Sequence, residues 1–258
     1  MNYETSIIQA YLDDKDLMKE ANSWMLAQYE IPDPMRKDIV RELTSQLEII
    51  TEEFPTFNTP LWNILFPQMD IVTDKITIVP LVGCKKAGNR IEHKDGQIYF
   101  FIDLIYIADM TRIVSQMLYI LQNYLTFEIA KLCIHQDYPL QSKKYMDILD
   151  HLTFTNGLAT FLSWNKDCSQ YKFHTEKYEP RKEQAFGMLA SAMEIENKAL
   201  QHKILLAAIS NDFWKQFPSV AGLFYFDDVY RDIGKEGISL LYRHGPKNFI
   251  HTIFHTST

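Results

Sequence analysis

Few stretches of this 258-residue chain set reactive side chains at a spacing that could do chemistry. The most suggestive runs from Leu125 to His135. Glu128, Lys131 and His135 stand there at i, i+3 and i+7, on one face of an otherwise apolar helix. A carboxylate, an ammonium and an imidazole on one face are material for proton transfer. They are equally an ordinary helix-face ion pair, worth ~0.2–0.5 kcal/mol. Asn156-Gly157-Leu158-Ala159-Thr160-Phe161-Leu162 follows on a second expected helix, twenty-one residues after His135.

Other constellations carry less. His251 and His255 are four apart and would share a helix face, but a metal needs further ligands and a second shell. They read as two solvated histidines near a chain end. Gly83-Cys84-Lys85-Lys86-Ala87-Gly88-Asn89 has the glycines of a phosphate loop. It lacks the Lys-Ser/Thr pair and a following helix, so it reads as a turn between strands. There is no Gly-x-Ser-x-Gly elbow. Cys84, Cys133 and Cys168 form no Cys-x-x-Cys pair, which favours free thiols in a reducing compartment.

The elements that must position these residues follow from composition and periodicity. Gly 9 and Pro 10 are low for this length, and with 47% hydrophobic residues the chain favours helix around one core or two fused ones. Amphipathic helix is expected over 4–29, from Asp33-Pro34 to Glu53, and briefly over 59–66. Ile76–Val82 and Ile98–Ile102, with Asp95-Gly96 before the second, read as a small β-ribbon or sheet. Helices are then expected near 109–136, 143–163, 180–213, 219–242 and 246–255, with a long loop over 164–178. The expected organisation is an N-terminal helical region, 1–68, and a second region, 69–258, with a small sheet at 69–108 and helix over 109–258. A net charge of −7 counts against nucleic acid. The N-terminus lacks a basic segment, and Ile113–Ile134 is interrupted by Gln116, Gln122, Asn123, Glu128 and Lys131. No membrane span and a cytoplasmic address are therefore expected.

At Phe127-Glu128-Ile129-Ala130-Lys131 the chain resembles the His-Glu-x-x-His helix of gluzincin-like bacterial zinc-dependent peptidases. Asn156-Gly157-Leu158-Ala159-Thr160-Phe161 is similar to the Glu-Gly-Leu-Ala segment that supplies their third zinc ligand. Gly222-Leu223-Phe224-Tyr225-Phe226 through Gly234 resembles their late helix, where a glycine-flanked aromatic stretch packs behind the site. The resemblance covers roughly residues 75–245. It implies an α+β, predominantly α-helical, zincin-like fold with a small β-sheet preceding the motif helix.

The departures are chemical. Phe127 and Lys131 replace the two motif histidines, and Asn156 replaces the glutamate; only Glu128, at the general-base position, is kept. Zinc hydrolysis needs about three protein ligands and an open position. The resemblance therefore implies a degenerate member: a pseudo-peptidase with no cofactor and no metal, Phe127, Lys131 and Asn156 being vestigial ligand positions. Lys131 is expected to neutralise Glu128, with Asn156 nearby. The pocket is expected to include Glu128, His135, Tyr225 and Tyr230, and the expected partner is a peptide or protein. Active relatives hold peptides on an edge strand, which here would be Gln97–Leu104. One alternative is a hydrolase using a non-zinc site near the same cleft, with Glu128, His135, Asp150 and His151 as acid–base candidates. The other is a helical scaffold without peptidase ancestry.

Overall fold

The computed structural model describes residues 1–20, 23–210 and 212–255. In chain order its elements begin with β1 (Asn2–Tyr3), α1 (Ser6–Leu12), α2 (Leu17–Glu20), α3 (Lys37–Glu53), α4 (Thr59–Leu65) and α5 (Asp70–Thr73). There follow β2 (Ile76–Leu81), β3 (Arg90–Lys94), β4 (Gln97–Asp103), α6 (Leu104–Met110), α7 (Val114–Asp137) and α8 (Tyr145–Ser163). The chain continues with α9 (Glu179–Met193), α10 (Lys198–Ala208), α11 (Phe217–Ile233), α12 (Lys235–His244) and α13 (Phe249–His255). It is an α+β, predominantly helical protein with one small mixed sheet. Among the described residues no helix is long and apolar enough to cross a membrane.

Several expected helices are subdivided, and local capping says why. The expected 109–136 helix is preceded by α6, which Asp103 caps by accepting the Tyr106 N–H at 2.9 Å. Thr111 is extended (φ −155°, ψ 157°) and separates α6 from α7. The 180–213 stretch breaks before α10, where Asn197 accepts the Leu200 N–H at 3.1 Å. The 219–242 stretch breaks at Gly234, whose φ of 78° interrupts the helix between α11 and α12. Ala21, Asn22 and Asn211, included in the expected helices, lie outside the described residues.

The chain divides into two compact units interleaved along the sequence: Met1–Pro55 with Gln68–Leu125, and Thr56–Pro67 with the residues from Thr126 onward. The boundary expected from the sequence lies at 68/69.

In the first unit the sheet order is β1-β2-β4-β3. β1 pairs parallel with β2, β2 parallel with β4, and β3 antiparallel with β4. The β3–β4 hairpin turns at Asp95-Gly96, both at positive φ (51° and 78°), as a tight two-residue turn requires. β4 is therefore interior, and the expectation that Gln97–Leu104 is an edge strand is corrected: Asp95-Gly96 folds β3 onto its outer side. The edge position falls to β3. Burial of Phe100, Phe101, Ile102 and Asp103 fits a strand flanked on both sides.

In the second unit α8 and α11 cross at minimal separation. A Cβ on Gly222 would lie 2.2 Å from the Thr153 carbonyl oxygen, and one on Gly157 would lie 2.6 Å from the Gly222 Cα. Only glycine at both positions allows the backbones to approach so closely. Phe154, Phe226 and Phe249 fill the space beside the crossing, with ring centroids 5.0–5.8 Å apart. Asn58 ties the far end of α8: its amide donates to the carbonyls of Leu162 and Asn165 at 2.8 and 2.9 Å, while its oxygen accepts the Cys168 N–H. Orphan carbonyls at a helix terminus are satisfied in this way.

Candidate functional site

Glu128 and Lys131 lie on α7, in its second-unit half. The Lys131 ammonium donates to Glu128 Oε2 at 2.9 Å, and their side chains retain 28% and 16% exposure. The same ammonium stands 4.9 Å from the centre of the Phe127 ring. An i, i+3 ion pair and an i, i+4 cation–π contact thus share one charge, and one helical turn suffices to make both. This is the expected pairing of Lys131 with Glu128. Asn156, on α8, is half-buried, and its backbone carbonyl accepts the Thr160 hydroxyl at 2.7 Å. No hydrogen bond or ion pair joins its side chain to the Glu128–Lys131 pair among the described residues.

One turn beyond Lys131, α7 meets α8. His151 Nε2 and His135 Nδ1 are 3.1 Å apart, with ring centroids at 4.9 Å and planes inclined by 30°. Tyr138, just past α7, packs edge-on against Phe154 at 5.9 Å. The Pro139-Leu140 break reverses the chain, so two histidines sixteen residues apart face each other. His151 is 3% exposed, whereas His135 presents its outer side to solvent. Burial lowers both pKa values: His151 falls to about 4, helped by the nearby His135, and His135 falls further because of Lys131. Both rings are therefore neutral near pH 7.

Asp150 precedes His151 and is 5% exposed. Its Oδ1 accepts the Ile250 N–H at 2.8 Å, fastening α8 to the start of α13. Burial pushes its carboxyl up to about 6, against the lowering effect of the Ile250 and Asn248 N–H groups. Asp150 and His151 open onto a cleft of about 240 Å³ that also includes Leu140, Ser142, Asp147 and Lys247. Ser142 hydrogen-bonds Asp147 at its rim. The cleft thus brings together an imidazole base, a carboxyl that titrates near neutrality, and an ammonium. Of the acid–base candidates, Asp150 and His151 line the cleft, His135 meets His151 from α7, and Glu128 is held by Lys131.

The two tyrosines serve other partners. Tyr225 is buried on α11 and packs against Phe249 at 5.6 Å. Tyr230 lies 5.8 Å from the Phe161 ring and hydrogen-bonds Cys168, which pushes its phenol up to about 12. All three cysteines are free and buried. Burial raises each thiol, Cys133 to about 12, so none has the lowered pKa of a reactive thiolate. His251 and His255 stack on α13 with centroids 5.8 Å apart.

Sequence reasoning missed the facing of His135 and His151. The available signal was the Pro139 break, which implies a helical hairpin with both residues near its closed end. It also missed Asp227, a buried carboxyl on α11 with an unpartnered Oδ1 and a pKa raised by burial to about 6. No sequence pattern marks that residue, because its burial depends on what packs over α11. Among the described residues no group of three or more His, Cys, Asp or Glu side chains is placed to hold a metal ion. Comparison of the chain with protein-family models, with curated proteins and with solved structures finds no match.

Proposed function

We propose that this chain is a catalytically inactive relative of zinc-dependent peptidases, retained as a peptide- or protein-binding module. The observation that carries the reading is the Lys131 ammonium, 2.9 Å from Glu128 and 4.9 Å from the Phe127 ring. In a zinc helix the dication compensates the base carboxylate. A partly buried carboxylate without it costs several kcal/mol or takes up a proton, at about 1.4 kcal/mol per pKa unit. Lys131 supplies the missing charge from one turn away, and Phe127 supplies bulk where a ligand would stand. Asn156 carries no charge that would need a counter-ion. An extended partner would add to the sheet at β3, where backbone groups alone can provide pairing.

The test is restoration of the ligands. Phe127→His, Lys131→His and Asn156→Glu together are expected to give a folded protein that retains zinc through dialysis and melts lower after chelation. A folded triple variant that takes up no more zinc than the parent overturns the reading.

A second reading has its own observation: the cleft where His151 and Asp150 meet. A neutral imidazole and a carboxyl of raised pKa suit acid–base hydrolysis without zinc. It requires an activity abolished by His151→Gln and untouched by Lys131→Met; equal sensitivity to both would refute it.

A further inference from the structure

The cleft beside His151 holds opposite charges that do not pair with each other. Lys247 enters it from the turn between α12 and α13, and Asp147 and Asp150 from α8. Among the described residues Lys247 forms no ion pair, so neither carboxylate lies within 4.0 Å of its ammonium. Asp147 is held by Ser142, and Asp150 accepts the Ile250 N–H at 2.8 Å. A ligand spanning the cleft therefore meets carboxylates on one wall and an ammonium on the other.

His151 adds a directional group. It is 3% exposed and lines the cleft, while its Nε2 shares a direct hydrogen bond with His135 Nδ1 at 3.1 Å. Its Nδ1 has no partner among the described residues. In a neutral imidazole one nitrogen donates and the other accepts. Nδ1 thus donates when Nε2 accepts from His135, and accepts when Nε2 donates. Either way it can bond one end of a molecule that carries both a carboxylate and an ammonium.

The remaining wall is apolar, formed by Pro139, Leu140 and Pro246. The volume of about 240 Å³ is smaller than the ~300–1,000 Å³ of clefts that bury drug-sized ligands. Opposite charges on facing walls, an apolar side and a small volume together describe a short zwitterion with an aliphatic group.

We propose that this cleft binds a free aliphatic α-amino acid, its carboxylate on Lys247 and its ammonium on Asp150 and Asp147. The inference shares its cleft with the acid–base reading and gives that reading a ligand class, but it requires no turnover. It does not depend on the Phe127, Lys131 and Asn156 positions.

The experiment is calorimetric titration of the full chain near pH 7 with L-leucine, L-leucinamide and N-acetyl-L-leucine. One leucine per chain is the expected result. The amide lacks the carboxylate and the acetyl compound lacks the ammonium, so each should bind at least about tenfold more weakly. Lys247→Met should weaken leucine at least about tenfold and leave leucinamide unchanged. Asp150→Asn should weaken both. Lys247 is exposed, so its variant decides the matter even if Asp150→Asn disturbs the fold. Lys203→Met, on exposed α10 surface, should change nothing. No leucine binding at about 10 mM, equal binding of all three compounds, or an unaffected Lys247→Met overturns the proposal. Leucine binding without hydrolysis removes the acid–base reading alone, and His151-dependent hydrolysis without leucine binding removes this proposal alone.

Discussion

The turn at 127–131 and the helix junction at 135–151 lie next to each other on α7 yet are built on opposite principles. Phe127, Glu128 and Lys131 satisfy one another within a single helical turn, and their ion pair is partly wetted. Such a pair needs only that the helix exist, and it is worth little to the fold. His135, His151 and Asp150 exist as a group only because α8 folds back on α7 and α13 docks on α8. Their burial stores pH-dependent free energy. The difference teaches that the motif-like face is made within one helical turn, whereas the junction beside it is where burial makes protonation depend on the tertiary fold.

The comparison breaks first if the helices are pushed apart. Gly222→Ala places a methyl 2.2 Å from the Thr153 carbonyl oxygen, a backbone atom that cannot move aside. A loss of at least ~3 kcal/mol is expected, with a lower urea midpoint and weakened near-ultraviolet circular dichroism. An unchanged midpoint would mean that the crossing is not as close as described.

His151 tests the stored energy. Its folded pKa of about 4 lies below the ordinary 6.5, so the folded state binds fewer protons between those values. Its contribution is complete above pH 6.5 and is lost as pH falls through 4, on the order of 2–3 kcal/mol. His151→Gln should therefore flatten the decline in stability from pH 6.5 to 4; an unaltered slope would show that the ring is solvated.

Asp150 has the opposite sign. Its carboxyl is raised from 3.8 to about 6, so the folded state is favoured at low pH and that advantage disappears as pH rises through 6. Asp150→Asn can still accept from the Ile250 N–H. Relative to the parent it should gain on the order of 2 kcal/mol at pH 7.5 and close to nothing at pH 4. Denaturation curves at the two pH values decide, and a pH-independent difference would contradict the buried carboxyl.

The smallest effect belongs to the local turn. Lys131→Met should cost about 1 kcal/mol or less, and Glu128→Gln added to it should recover part of the loss. A cost of several kcal/mol would mean that the pair is far more deeply buried than its exposure indicates.

The legibility of the chain follows the same division. Asp33-Pro34, Asp95-Gly96 and Phe54-Pro55 announced their helix start, hairpin turn and helix stop because capping and turn chemistry act within a few residues. The Lys131–Glu128 pair was legible for the same reason. The interior position of β4 was not, since which strand lies outermost depends on how a hairpin folds back. The breaks before α7 and α10 were missed because apolar periodicity continues across them while single residues, Thr111 and Asn197, end or restart the helix.

What the sequence by itself determined is the helical bias, the small sheet, the free cysteines and the self-neutralised turn on α7. Each depends on composition or on contacts within about one helical turn. Only the tertiary structure decided that His135 faces His151, that Asp150 is buried under α13, and that Gly157 and Gly222 touch. Those facts join residues 16, 100 and 65 positions apart, respectively. Chain reversal and burial create such neighbours, and with them the shifted pKa values that spacing alone cannot show.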